Sequence, residues 1–287
     1  LNPDFTIERT DTNAFIIKLK CRPNSKWEQW VLLRSDAHHD NPECDQSLER
    51  KHLEQAKERG AIIIDNGDLF CAMQGKYDPR GTKKDIRPEH QNGRYLDSLV
   101  ETAADFYAPY AGHFALLGKG NHESSIKKRH ETDLTERLAA LLNARGGRML
   151  VGDYQNWVRF RFDRGTQKVS KTLWMIHGYG GGGPVTKDTI QLNRQLAYVR
   201  DVDFILSGHT HDSWNVSAQT IGMTPTGKIQ LQTVEAIKTP TYKEESLGGS
   251  GWHVEAGKPP KPLGAYWLRF YWNSKDDTVD SEVLRAK

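Results

Sequence analysis

The chain has 287 residues, 37% of them hydrophobic and 27% charged, a composition that supports a soluble globular core and excludes a disordered or fibrous chain. Forty basic against 37 acidic side chains leave a formal charge of +3, too mild to demand nucleic acid as a partner. No run approaches the ~18 apolar residues that cross a bilayer, and Leu1-Asn2-Pro3-Asp4 lacks a charged-then-apolar signal segment, although a chain opening on Leu leaves room for a removed leader.

Apolar runs and amphipathic segments alternate, which predicts one α/β domain over residues 1–287. Trp30 to Arg34 reads as a buried strand ending at Ser35-Asp36. A helix over Asp45 to Arg59 follows, with Leu48, Leu53 and Ala56 on one side and a stop at Gly60. Ala61 to Asp65 is a second strand, delivering Gly67-Asp68, and the strand, helix, strand order predicts a parallel pair. Phe70 to Asn92 is polar, without a period, and carries Lys76, Arg80, Lys83, Lys84 and Arg87. A loop of that length reads either as a lid insertion that grips substrate or as an exposed loop.

Gly93 to Tyr107 reads as a helix, and Phe114 to Leu117 as a strand leading to Gly120-Asn121-His122-Glu123. Asp133 with Glu136 opens a helix to about Asn143, closed by Gly146-Gly147. Trp157 to Phe162 alternates, Thr172 to Ile176 is a strand before His177, and a helix over about Thr186 to Arg200 precedes a strand, Phe204 to Leu206. That strand runs into Gly208-His209-Thr210-His211. From about residue 213 the chain is strand-rich, with Lys228 to Val234 and Ala265 to Trp272 read as antiparallel strands.

Four short segments concentrate metal-binding side chains: Asp36-Ala37-His38, Gly67-Asp68, Gly120-Asn121-His122-Glu123 and Gly208-His209-Thr210-His211, with His177 alone before the last. Most fall where a strand runs out into a loop. They offer oxygen and imidazole nitrogen and no thiolate, which favours Mn, Fe, Zn, Ni or Co. Cys21, Cys44 and Cys71 show no CxxC spacing, so zinc ribbons and disulfide frameworks are excluded and a reducing, cytoplasmic setting is expected. Asp36 and His38 are two apart, so on an extended segment they share a face, and His209 and His211 repeat the spacing. A carboxylate such as Asp68 can bridge two cations roughly 3.5–4 Å apart, which polarise phosphoryl oxygens and make hydroxide available near neutral pH. His122 is placed to protonate the leaving oxygen.

In their order these segments resemble the calcineurin-like metallophosphoesterase superfamily, whose pattern is DxH, GD, GNH(D/E), H and GHxH. The resemblance covers Asp36 to His211, about 60% of the chain by the span of those residues. It implies a sandwich of two mixed β-sheets flanked by helices, with a dinuclear site at the strand ends. By position it implies Asp36, His38, Asp68 and His211 for the first metal, and Asp68, Asn121, His177 and His209 for the second. It also implies that His122 is catalytic and is oriented by Glu123, where many relatives have Asp. The Asp36 to Pro42 version of the first motif and the 70–92 insert most resemble bacterial and bacteriophage members of undefined substrate.

Around this core of residues the readings divide. Lys127, Lys128 and Arg129, with His130, follow His122 closely and read as phosphate contacts or as a solvated face. Arg80 belongs to the candidate lid. Trp214, three residues past His211, reads as a pocket wall able to stack on a base, while the other tryptophans read as core. Gly180 to Gly183 lets a substrate approach the backbone or is simply flexible. The expected activity is metal-dependent phosphoric ester hydrolysis by direct attack of a metal-bridging hydroxide, with phosphodiesters as first substrate class. A single-stranded DNA or RNA nuclease, a phosphomonoesterase and a non-catalytic metal-binding scaffold are the alternatives.

Overall fold

Period-two alternation within the buried strands feeds three apolar clusters. In β3 (Glu28–Arg34) Val31 and Leu33 join one cluster and Leu32 another, and β4 (Ile62–Asp65) repeats this with Ile62 and Ile64 against Ile63. In β8 (Gln167–Ile176) Leu173 and Met175 oppose Trp174 and Ile176, and in β9 (Phe204–Ser207) Phe204 and Leu206 oppose Ile205. Strands apolar on both sides must be covered on both sides, which sets the layering. The computed structural model describes residues 3–24, 26–72, 85–165, 167–224, 226–248 and 252–287.

The fold is α/β, with two mixed sheets flanked by helices. One sheet orders β1 (Phe5–Asp11), β2 (Ala14–Lys20), β7 (Gln155–Arg164), β8, β9, β11 (Ile229–Lys238) and β10 (Trp214–Met223). The other orders β13 (Thr278–Arg285), β12 (Tyr266–Asn273), β3, β4, β5 (Phe114–Leu117) and β6 (Leu150–Val151). The middle cluster, with Leu19, Phe160, Phe162, Phe204 and Phe270, joins both sheets. Helices α1 (Gln46–Glu58), α2 (Tyr95–Tyr107) and α4 (Leu134–Ala144) cover the outer face of the six-stranded sheet, and α5 (Thr189–Tyr198) covers that of the seven-stranded one. Two further helices are α3 (Asn121–His130) and the short α6 (Trp252–Glu255). Among the described residues no helix is long and apolar enough to cross a membrane.

Strands β3, β4 and β5 are parallel, as are β8 and β9, so their C-terminal ends open toward one region. The expected antiparallel character of the last third holds for β12 against β3 and β13. It holds only on one side of β11, which is antiparallel to β10 and parallel to β9. The helix expected over about Thr186 to Arg200 is shorter because Lys187 and Asp188 take left-handed backbone and the Asp188 carboxylate binds Lys238 at 2.5 Å. The Asp133 cap is present, its carboxylate accepting from Glu136 N at 3.2 Å.

A buried ionic cluster fastens α1 and α2 to the strand ends. Arg34, the last residue of β3, donates to Asp65 at 2.8 Å and Glu49 at 2.7 Å, and Tyr107 and His39 also bind Glu49. Burial opposes ionisation of Glu49, but His39 and Arg34 pull its pKa from 4.5 to about 2. A depressed carboxyl contributes stability above its unfolded value and loses it as pH falls through the folded one. Glu49→Gln, which removes one of the two carboxylates that Arg34 binds, is expected to lower unfolding free energy by about 3–5 kcal/mol at neutral pH. In urea titrations the gap from wild type should shrink as pH falls from 4.5 to about 2.

Candidate metal centre

Five strand ends converge. Asp36 follows β3, Asp68 follows β4, Asn121 follows β5, His177 follows β8, and His209 and His211 follow β9. Backbone bonds lock the segments together: Asp36 N donates to Gly67 O at 2.9 Å, His38 N to Asp68 O at 3.0 Å, and Gly208 N to His177 O at 2.8 Å. The two ligand-like carboxylates are themselves clamped by neighbouring motifs. His209 N donates to Asp36 Oδ2 at 2.9 Å, and His122 N to Asp68 Oδ1 at 2.9 Å. Glycine is required at two of these approaches, since a Cβ on Gly208 would collide with the Asp36 carboxylate and one on Gly120 with that of Asp68.

The shared-face expectation for Asp36 with His38, and for His209 with His211, is corrected by the backbone. These four residues and Asp68 all have left-handed φ, between 46° and 72°. They make up five of the eleven non-glycine residues in that region among the described residues. Each costs about 1–3 kcal/mol, and such strain collects where surrounding structure over-determines a functional geometry. Tight turns, rather than an extended alternation, aim the side chains inward.

Two trios of ligand atoms result, each within 4.8 Å: Asp36, His38 and His211, and Asp68, His177 and His209. In the first, His38 Nε2 and His211 Nε2 approach to 3.2 Å, and Asp36 Oδ1 lies 3.5 Å from His211 Nε2. In the second, His177 Nε2 stands 3.1 Å from Asp68 Oδ2, and His209 Nδ1 2.8 Å from Asn121 Oδ1. His177 Nε2 also lies 3.9 Å from Asp36 Oδ1, so the trios are adjacent.

Outer partners fix which nitrogen each ring presents. His177 Nδ1 lies on Asn66 O at 3.0 Å, His211 Nδ1 on Glu245 at 3.3 Å, and His209 Nε2 on Gly180 O at 3.0 Å. Each acceptor holds one ring nitrogen and turns the opposite nitrogen toward the trio, where it would offer a lone pair once a cation displaced its proton, the arrangement by which metal-binding imidazoles are oriented. His177 Nε2 is fully buried and has no hydrogen-bond partner of its own. Burial would lower the His177 pKa, but Asp68 and Asp36 push it up to about 10. Against burial, Asp36 and Glu245 push His211 up to about 9. Two buried carboxylates thus draw positive charge into the site, and oxygen and imidazole donors of this kind could hold divalent cations there.

Other expected residues divide. Glu123 does not touch the His122 ring: its carboxylate accepts from the backbone N–H groups of Asp68 at 3.0 Å, Phe70 at 2.9 Å and Gly120 at 2.8 Å. Burial and Asp68 push the Glu123 carboxyl up to about 8 against those donors. The His122 ring is set instead by Cys71, whose carbonyl accepts from Nδ1 at 2.5 Å. Lys127, Lys128 and Arg129 lie on the last turns of α3, at the end opposite Asn121 and His122, where cations complement the helix dipole, and Lys127 pairs with Asp133 at 3.1 Å. Trp214 donates to Lys187 O at 2.8 Å and packs against the outer apolar cluster. Arg80, and most of the candidate lid, lie outside the described residues, while Arg87 donates to Asn41 O at 2.8 Å.

No family model and no curated protein matches this sequence. Among solved structures it is similar to GAP50, described as the anchor in the inner membrane complex of Plasmodium, at 15% identity and TM-score 0.42 over 91% of this chain and 90% of that one. It is also similar to Vps29 of Chaetomium thermophilum, at 8% identity and TM-score 0.35 over 90% and 95% of the two chains. A third is the Thermotoga maritima protein TM1076, at 12% identity and TM-score 0.32 over 90% and 99%. At these scores the likenesses carry no argument about the site.

Removing the outer partner of a ligand histidine typically costs 10–100-fold in metal affinity. Glu245→Gln is therefore expected to weaken Mn²⁺ binding by about 10–100-fold at one site per chain, and Asp68→Asn to weaken both. Equilibrium dialysis with metal analysis reads both outcomes.

Proposed function

We propose that this chain is a dinuclear-metal phosphoesterase of the calcineurin-like type. The observation that carries the reading is the pair of adjacent trios, Asp36, His38 and His211 beside Asp68, His177 and His209, with every imidazole but His38 tied by its outer nitrogen. Asp36, His38 and His211 would hold one cation and His177, His209 and Asn121 the other, with Asp68 between them. When bound, two divalent cations from among Mn, Fe, Zn, Ni and Co supply Lewis acidity at phosphoryl oxygens and lower the pKa of a water.

The chain's own groups supply the rest. His122 keeps Nδ1–H on the Cys71 carbonyl, so Nε2, 3.8 Å from Asp68 Oδ2, is the atom that can carry a proton toward a leaving oxygen. Glu123 acts one step back by gathering the Asp68 and Gly120 segments through their N–H groups. Asp36 is held by the His209 N–H and by the Ser35 hydroxyl at 2.5 Å, which keeps its oxygens aimed inward.

Phosphodiesters are the substrate class that fits the surrounding charge. Lys119 and Lys127 bind Asp133, Lys238 binds Asp188, Lys243 binds Glu245, and Lys261 binds Asp212. With these ammonium groups already neutralised, a monoanionic diester is easier to accommodate than the dianion of a terminal phosphate.

With Mn²⁺ the wild type is expected to hydrolyse bis-p-nitrophenyl phosphate faster than p-nitrophenyl phosphate. Asp68→Asn should abolish turnover, and His122→Ala should lower kcat by ~10²–10⁴ with metal content unchanged. A wild type carrying two cations yet inert toward both esters would refute the proposal.

A further inference from the structure

Cys71 lies outside the motif segments, three residues past Asp68, yet its Sγ and ring nitrogens of His38 and His122 fall within 4.8 Å of one another. One feature points to a ligand here, a buried ring nitrogen without a partner. His38 is 2% exposed and its Nδ1 has no hydrogen-bond partner, although the other ring nitrogen faces His211. Burial and the Asp40 carboxylate push the Cys71 thiol well above its ordinary range, and the Asn41 amide, which donates to Sγ at 3.3 Å, opposes them, so it is the ion that must draw off the proton. The His38 and His122 rings meet at 74° with centroids 4.9 Å apart, and the His122 side chain, 14% exposed, gives the cluster its contact with solvent.

A second cysteine cluster shows what a consumed set looks like. His39, Cys44 and Glu49 are equally close, but Glu49 already binds Arg34, Tyr107 and His39, and His39 Nε2 faces the Gln46 amide at 3.3 Å. Those donors are spent on the buried ionic cluster. In the Cys71 set His38 Nδ1 is unpartnered, and His122 has only Nδ1 engaged, on the Cys71 carbonyl.

We propose that Cys71, His38 and His122 form a third cation site, selective for thiophilic ions such as Zn²⁺ or Cd²⁺, whose occupation inhibits the neighbouring centre. One thiolate and two imidazoles are a borderline-to-soft donor set, whereas Mn²⁺ prefers the carboxylates of the adjacent trios. Zinc at about 2.3 Å from sulfur and about 2.0–2.1 Å from nitrogen needs donors about 3.3–3.6 Å apart. The donors lie within 4.8 Å of one another, so the ion would draw them together by up to about 1.5 Å. On binding, the Cys71 sulfur gives its proton to solvent and forms the bond to the ion, with no change of oxidation state. The ion engages His122, the proposed proton donor, and competes for His38. The binding half of this inference is independent of the phosphoesterase reading; the inhibitory half rests on it.

The test titrates Cd²⁺ into Mn²⁺-loaded protein and follows both the ultraviolet sulfur-to-cadmium charge-transfer band and diester hydrolysis. In wild type the band should saturate at one ion per chain while hydrolysis falls in step. Loss of an outer partner alone costs about 10–100-fold, so loss of the sulfur ligand in Cys71→Ser should weaken Cd²⁺ binding by tenfold or more and erase the band. The half-inhibiting Cd²⁺ concentration should rise by the same factor. Cys44→Ser should keep the band, and Cys71→Ala repeats the measurement should the serine variant misfold. A band that survives in Cys71→Ser, or is absent from wild type, overturns the site. A band with undiminished hydrolysis overturns the inhibition. A band in a protein that never hydrolyses the diester upholds the site and sinks the phosphoesterase reading alone.

Discussion

Two carboxylates, Asp36 and Asp68, are held fully buried beside each other at the ends of parallel strands, and the rest of the molecule is arranged around the cost of that. Burial without compensation would drive both to protonate. Instead each accepts backbone N–H groups from a neighbouring motif, and His177 bridges toward both. The concentration of negative charge in a low-dielectric pocket is what makes the site attractive to cations. Imidazoles alone would give a site with no such pull.

Holding that charge requires stiffness immediately behind it. Arg34 and Asp65 stand two and three residues before Asp36 and Asp68 and are tied to each other, and through Glu49 and Tyr107 to two helices. A flexible loop could not keep five non-glycine residues in left-handed backbone; a strand end anchored by a buried arginine can. The ionic cluster therefore bears on where the ligands point as well as on stability.

What the sequence disclosed followed burial. Strands at Trp30–Arg34, Ala61–Asp65, Phe114–Leu117, Thr172–Ile176 and Phe204–Leu206 were legible because they are apolar on both sides. β1, β2, β10 and β13 were not read: β1 and β13 are largely polar, and β10 exposes Val216, Ile221 and Met223 among polar residues. The start of α3 was hidden for a similar reason: Gly-Asn-His-Glu has no apolar stripe, and the helix there is initiated by the Glu123 carboxylate binding Gly120 N. The ligand residues stood out by type and order, but spacing misled about how Asp36 and His38 share a site, because left-handed turns leave no periodic mark. Glu245 was invisible, being 34 residues from the His211 ring it holds, and Cys71 was passed over because its proximity is created only by folding.

The glycine-rich stretch after His177 acquires a meaning from its two anchor points. Gly180 lends its carbonyl to His209, and Asp188 is pinned to Lys238 at the end of β11. The same exposed peptide thus also governs the tautomer of a ligand-like imidazole. Any guest bulky enough to push this stretch aside would loosen that imidazole, so guest size and ion retention become linked quantities in this molecule.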